Sequence, residues 1–304
     1  MLYATNEPSE RRAALRSELV SGRLLRFPGA FNPLSAKLIE DKGFDGVYIS
    51  GAVIAADLGL PDVGLTTLSE VSARAGQISR MTTLPTIVDA DTGFGESMNA
   101  ARAVQELEDA GVAALHIEDQ VNPKRCGHLA GKSIVDEDTA VQRIRSAAVA
   151  RRDENLQIIA RTDVRAVEGL KATIERAQAL VGAGADVVFP EALTDLSEFE
   201  AVRAAIDVPI VANMTEFGQS DLFSTQQLSD VGVNIVIYPV SLLRLAMGAA
   251  ERGLNTLDAE GSLQSEVAHM QTRARLYELL DYETYNTFDQ SIFDFSVPGA
   301  HDDR

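Results

Sequence analysis

Along most of the chain, short runs rich in valine, isoleucine, leucine and alanine alternate with longer stretches whose apolar residues return every three or four positions. The short runs predict strands near 24–30, 46–50, 86–91, 114–118, 157–162, 186–191, 210–213 and 234–238, eight in all. The stretches between them predict helices with legible starts. Thr67-Leu68-Ser69-Glu70 and Ser224-Thr225-Gln226-Gln227 carry the capping-box pattern, and Asp195 can cap a helix over 196–205. Gly43, Gly111, Gly184 and Gly232 stand where several helices should end. A charged amphipathic helix from Ser9 to about Val20 precedes the first strand, and residues 1–8 and 297–304 read as disordered. No linker or low-complexity tract divides the chain, so a single domain over residues 1–304 is expected.

Strict strand–helix alternation implies a parallel sheet, either open or closed. The polar residues help to choose, because an open sheet gathers ligands at one switch point while a barrel draws them from many strand ends. Here nearly every apolar run ends in a polar group: Ser50, Asp89 with Asp91, Glu118, Arg161 with Asp163, Glu191, Asn213 and Tyr238. The expected fold is therefore α/β, a (β/α)₈ TIM-type barrel. Alternation of side chains along a strand would place Asp89 with Asp91, and Phe189 with Glu191, on shared faces. Beyond the eighth strand, 241–257 reads as the eighth helix. Val267, Met270, Ala274 and Tyr277 then predict one more amphipathic helix within a C-terminal extension over 262–296.

Composition narrows the partners. At 45% hydrophobic, 304 residues can bury a substantial core. With 45 acidic against 27 basic side chains, the formal charge of −18 argues against nucleic acid and anionic membrane as partners. An anionic small substrate would instead need clustered arginines or a metal. A single cysteine allows no intramolecular disulfide and fits a reducing compartment. The N-terminus has no apolar signal core, and no stretch approaches the ~18–20 apolar residues of a membrane span, so cytoplasm is expected.

The lone cysteine sits in Lys124-Arg125-Cys126-Gly127-His128, where nearby positive charge could stabilise a thiolate. Asp89 and Asp91 form a hard, oxygen-only corner suited to Mg²⁺, with Asp62 and Glu118 in reach of an outer shell. Gly93-Phe94-Gly95 lacks the third glycine of a dinucleotide loop and no Walker lysine pattern occurs, which excludes a nucleotide cofactor. Arg161 ends an apolar strand, so it is either an ion-pair partner of Asp163 or a bidentate carboxylate anchor. Tyr48 could face the same site as a phenolic acid or base, and His116 could fix the geometry of Glu118.

The segments 89–95 (Asp-Ala-Asp-Thr-Gly-Phe-Gly), 116–120 (His-Ile-Glu-Asp-Gln) and 124–128, in this order and spacing, resemble the isocitrate lyase/phosphoenolpyruvate mutase superfamily, over about Arg26 to Phe293. The resemblance implies Mg²⁺, with Mn²⁺ as a substitute, bound by Asp89 and Asp91 partly through water. It implies substrate contacts at Ser50, Gly51, Ala52, Cys126, Gly127, Arg161, Glu191, Asn213, Met214, Thr215, Arg244 and Arg273. Catalysis falls to Cys126 as general acid, with Tyr48 and Arg161. Phe189, Ile237 and Pro239 would form an apolar wall with room for a methyl group. The implied activity is carbon–carbon lysis of 2-methylisocitrate to pyruvate and succinate, in the methylcitrate cycle of propionate catabolism. Isocitrate cleavage, oxaloacetate hydrolysis and dimethylmalate cleavage are related alternatives. An inactive barrel serving as a binding or scaffold protein is the alternative of a different class. The implied assembly is a homotetramer whose C-terminal helix is swapped between subunits.

Overall fold

The computed structural model describes residues 5–125, 127, 131–218 and 220–295. Eight short strands run in chain order: β1 (Leu25–Pro28), β2 (Val47–Ile49), β3 (Thr86–Asp89), β4 (Ala114–Glu118), β5 (Gln157–Thr162), β6 (Val187–Pro190), β7 (Val211–Asn213) and β8 (Ile235–Tyr238). All pairings are parallel. β2 to β6 pair in sequence, and β8 lies between β7 and β1. Parallel bridges Gly29–Tyr48 and Val188–Ile210 join the two groups and close the barrel.

Alternation along the strands explains why both strand faces are apolar. Val47, Ile49, Val88, Leu115, Ile117, Ile158 and Ala160 point outward into a layer shared with the surrounding helices. Val188, Ala212 and Val236 do the same on the other side. Phe27, Tyr48, Ile87, Ala114, Ile159, Val187, Phe189, Ile235 and Ile237 point inward and fill the barrel. Leu15 and Leu19 of the helix Pro8–Val20 join this inner cluster together with Leu25. That helix therefore belongs to the core rather than to a surface arm.

Its attachment is polar as well as apolar. Arg12 is buried, and its guanidinium donates to the carbonyls of Val112 (2.9 Å) and Glu108 (2.5 Å) and pairs with Asp153 at 3.2 Å. Arg11 donates to the carbonyls of Asn6 and Gly111. The expectation of disorder over 1–8 fails for 5–8, because the helix begins at Pro8 and Glu7 donates its backbone N–H to Glu10. Residues 1–4 and 297–304 lie outside the described residues.

The predicted helix starts at Thr67, Asp195 and Ser224 are all present, each side chain accepting from the backbone N–H three residues on. Strands β1, β2, β3 and β6 end before their apolar runs do, since the chain turns away where ligand-facing residues begin. Ser50, for example, becomes the N-cap of the helix Gly51–Asp57.

The described residues form two compact units, one within 5–248 and one within 249–295. The helix Ser241–Glu260 begins in the first and ends in the second. In the C-terminal unit the single helix expected through 267–277 is instead broken. Val267 lies in the 3₁₀ turn Gln264–His269, and Thr272 caps a new helix, Arg273–Leu279, by accepting from Arg275 N at 3.2 Å. A further helix, Tyr282–Phe293, had no clear signature in the sequence. Tyr277 and Tyr282 stack with ring centroids 4.7 Å apart.

Replacing Arg12 by Met should lower stability by about 2–4 kcal/mol, because the buried Glu108 and the half-buried Asp153 lose a charged partner and two carbonyls lose a donor. Arg16→Met, at an exposed position of the same helix, should stay within about 0.5 kcal/mol. Denaturant unfolding followed by circular dichroism separates the two; equal small effects would remove Arg12 from the fastening of this helix.

Candidate active site

The inward line of each strand ends at the C-terminal mouth of the barrel, where polar side chains replace the aliphatic filling. Tyr48, Ser50, Asp62, Asp89, Lys124, Gly127, Arg161, Glu191, Asn213, Thr215, Glu216 and Arg244 line a cavity of about 250 Å³ there. Ala52, Phe217, Pro239 and Val240 supply its apolar surface.

One side is an acidic corner. Asp89 Oδ2 accepts from Gly51 N at 3.2 Å, and Asp89 Oδ1 accepts from Asp91 N at 3.0 Å. A Cβ on Gly51 would lie 2.9 Å from Asp89 Oδ2, so a larger residue there would crowd this carboxylate. The two aspartates do not meet by strand alternation as expected. β3 ends at Asp89, and Asp91 takes a left-handed φ of 46° in the turn that follows. Aspartate tolerates that region better than most residues. Asp91 Oδ2 accepts from Thr66, and Lys124 Nζ lies 2.8 Å from Asp91 Oδ1 while also bonding Asp62.

The opposite side is built on Arg161, buried at the end of β5. Its Nε lies 3.0 Å from Asp163 and 3.2 Å from Glu118, and its Nη2 lies 3.3 Å from Glu191. Asn213 donates to the same Glu191 oxygen at 3.3 Å. Asp163 is itself held by Lys132 at 2.7 Å. Its backbone N–H donates to Asp119, which also accepts from Thr162 and Arg176. Lys132 reaches further, donating to the carbonyl of Gly127. A Cβ on Gly127 would meet Arg161 Nη2 at 2.5 Å and Glu191 Cδ at 2.8 Å, so only glycine lets the cysteine segment approach this closely.

Between the two sides, the Tyr48 hydroxyl and His116 Nε2 are 2.7 Å apart, and His116 Nδ1 lies 3.7 Å from Asp89. Burial pulls the imidazole down to about 4 despite Asp89, so His116 is neutral at neutral pH. Burial, reinforced by Asp89, holds the Tyr48 phenol well above its ordinary value. Tyr48 therefore keeps its proton at neutral pH and can donate from it. Burial also raises Glu118 well above the carboxylate range, with Arg161 opposing. At the corner, burial raises Asp91 and the Asp89 carboxylate adds to it; at Asp89, burial is outweighed by His116 when that ring is protonated and by Lys124 and Arg161, and at neutral pH the two cations keep it ionised.

Several expected residues fall elsewhere. Phe189 and Ile237 face inward but belong to the layer below the cavity. The Phe189 ring packs edge-on to His116 and carries the Arg161 guanidinium 5.3 Å above its centre, so it supports the site without lining it. Met214 is also buried, its sulfur accepting from Phe223 N, so its side chain is not a cavity contact. Lys124 bonds Asp62 and Asp91, and Arg125 is exposed, with its backbone held by Gln120. Arg273 opens a helix of the C-terminal unit. Cys126 and His128 lie outside the described residues. Sequence reasoning missed Lys132, Thr66, Arg176 and Glu216; only Lys132, beside Gly131 in the cysteine segment, had a local signal.

The corner fits a hard divalent cation. No group of three or more His, Cys, Asp or Glu among the described residues makes a closed metal cage. Mg²⁺ does not need one, since it keeps several waters and takes one or two carboxylates. Two adjacent buried carboxylates face a single ammonium, and Glu118 Oε1 has no protein hydrogen-bond partner among the described residues. Both features suit added positive charge with bound water. Asp89 and Asp91 would hold it, with Glu118 and Asp62 behind.

Comparison with known proteins agrees with this geometry. Residues 15–257 match the family described as phosphoenolpyruvate phosphomutase. A probable 2-methylisocitrate lyase of Corynebacterium glutamicum is 58% identical over 290 residues, 95% of this chain and 94% of that protein. The 2-methylisocitrate lyase of Escherichia coli is 45% identical, covering 92% and 95%. Among solved structures, 2,3-dimethylmalate lyase matches with a TM-score of 0.88 at 34% identity, covering 97% and 99%. Phosphonopyruvate hydrolase, in complex with oxalate and Mg²⁺, matches at 0.84 and 29%, covering 92% and 98%. Matches that span nearly the whole chain in both sequence and fold show the family: the chain belongs to the isocitrate lyase/phosphoenolpyruvate mutase superfamily, among relatives that are 2-methylisocitrate lyases.

Proposed function

We propose that this protein cleaves 2-methylisocitrate to pyruvate and succinate with Mg²⁺ at Asp89 and Asp91. The cavity supports the chemical class, a carboxylate corner opposite a guanidinium wall; near-full-length identity of 58% to a 2-methylisocitrate lyase supports the substrate. When bound, the cation supplies Lewis-acid stabilisation of oxygen charge on an α-hydroxycarboxylate. The protein's own groups do the rest. Transfer of the substrate hydroxyl proton to a water in the cavity lets the oxygen's electrons form the pyruvate carbonyl as the carbon–carbon bond breaks. The bonding pair moves onto the succinate carbon and into its adjoining carboxylate. Arg161, Asn213 and Thr215 face the cavity as donors for that charge. Cys126 then delivers the proton to carbon, and Tyr48, which holds its own proton, orients a substrate oxygen. Ser50 and the backbone of Gly51 and Ala52 complete the floor.

In this reading Pro239 and Val240 face the methyl-bearing part of the substrate, with Phe189 acting beneath Arg161. The further proposals are a homotetramer, cytoplasmic location and a role in propionate catabolism. Support for assembly comes from exposed apolar side chains on the C-terminal helices: Leu254, Leu257, Tyr282, Phe288, Ile292 and Phe293. No helix among the described residues is long and apolar enough to cross a membrane.

Incubation with Mg²⁺ and, in turn, 2-methylisocitrate, isocitrate, oxaloacetate and 2,3-dimethylmalate tests the assignment. Pyruvate with succinate should appear from the first, at a kcat/KM about 10–200-fold above isocitrate, the worth of one methyl group. EDTA should abolish the reaction, and equal or faster turnover of isocitrate would overturn the substrate assignment. Cys126→Ser should reduce kcat by about 10²–10⁴-fold while the melting temperature holds, as for a lost general acid. Parent-level turnover would remove Cys126 from that role. Gly127→Ala should lower kcat/KM by about 10²-fold or more, because its methyl displaces the segment from Arg161 and Glu191. An unchanged rate would show that this close approach is not needed.

A further inference from the structure

Arg244 enters the cavity from the first turns of the helix Ser241–Glu260, and it is not idle there. Its Nη1 donates to Thr215 Oγ1 at 3.1 Å, to the Glu216 carbonyl at 2.7 Å and to Glu216 Oε2 at 2.9 Å. The other carboxylate oxygen, Glu216 Oε1, accepts from the Ser241 hydroxyl. Burial would raise the Glu216 carboxyl, but Ser241 and Arg244 hold it below the usual carboxylate range, so it carries its charge at neutral pH. A cavity suited to a polycarboxylate thus contains a carboxylate of the chain's own, seated on one of its two arginines.

The turn that presents it has an imposed conformation. Phe217 takes a left-handed φ of 61°, unusual for an aromatic residue, and is 94% exposed at the cavity's edge with the Arg244 guanidinium 5.4 Å from its ring centre. The ring is not held by a core, and the contacts of Glu216 with Arg244 and Ser241 help to keep the turn in place between the buried Met214 and Ser220, which donates to the Leu193 carbonyl. Both charged side chains are partly solvated, 38% and 32% exposed, so this pair can exchange partners at modest cost. Arg161 differs: it is buried beneath three carboxylates and has no such freedom.

We propose that Glu216 is an internal substitute for a substrate carboxylate, occupying Arg244 in the free protein and displaced from it when the ligand binds. It is thereby an affinity-determining residue for polycarboxylates, a role that rests on the substrate class proposed above. Its presence keeps Arg244 extended into the cavity, and its charge opposes any dicarboxylate that approaches the same guanidinium. Product leaves more readily because Glu216 retakes the seat.

The sign of one substitution decides between this role and simple positioning. Glu216→Gln keeps the size of the side chain and one acceptor oxygen for Arg244, its amide NH2 can donate to the Ser241 hydroxyl, and it removes the competing charge. Calorimetric titration of the full chain with succinate in the presence of Mg²⁺ should show about 3–10-fold tighter binding in E216Q. In turnover, KM for 2-methylisocitrate should fall by a similar factor, with kcat unchanged or lower because succinate leaves more slowly. Ser241→Ala, which frees one oxygen of Glu216 without removing its charge, should move succinate affinity in the same direction by less. Weaker or unchanged succinate binding in E216Q, or none in either protein, overturns the proposal and leaves Glu216 as a positioning residue at most. Failure of the wild-type protein to cleave 2-methylisocitrate, with succinate still bound more tightly by E216Q, would instead refute the substrate assignment alone.

Discussion

The arrangement depends first on one buried guanidinium. Arg161 stands at the end of β5 with Glu118 from β4, Asp163 from its own loop and Glu191 from the end of β6 around it. A charge in that environment is tolerable only when paired and hydrogen-bonded, and removing one partner leaves another charge stranded. The pairing therefore ties three adjacent strand ends together at the mouth of the barrel. Surrounding carboxylates outweigh burial and raise Arg161 well above its already high value, so it is always a cation. Lys132 and Arg176 extend the same network outward through Asp163 and Asp119.

From this follows the division of the cavity into two electrostatic halves. The Asp89–Asp91 corner holds more negative charge than Lys124 balances, and the Arg161 wall presents donors on the far side. A polycarboxylate bearing a metal at one end and a developing dianion at the other matches that polarity. Gly127 is the point where the cysteine-bearing segment meets the wall, and the absence of a side chain there is a steric requirement of the same network. The neutral His116, pinned to the Tyr48 hydroxyl by burial, keeps the floor between the halves uncharged.

Strand–helix alternation, both-faced apolar strands, helix caps at Thr67, Asp195 and Ser224, and polar residues at the ends of the runs were all legible in the sequence, because they follow from local periodicity and side-chain chemistry. Asp89, Asp91, Arg161, Glu191 and Asn213 were legible as candidate site residues for the same reason: each lies at the end of an apolar run. Tertiary structure decided what distance along the chain hides. Asp91 reaches Asp89 through a left-handed turn rather than along a strand, and Phe189 lies under Arg161 because barrel layers, not strand parity alone, set depth. Lys124 belongs to the acidic corner, since its long side chain follows the carboxylates of Asp62 and Asp91. The helix Pro8–Val20 plugs the barrel through Leu15 and Leu19, and Glu216 holds Arg244, each through contacts between segments that local sequence cannot register. Local preferences thus determined the elements and most of the chemistry, while burial and charge pairing across the barrel decided which side chains face the substrate and which hold those side chains in place.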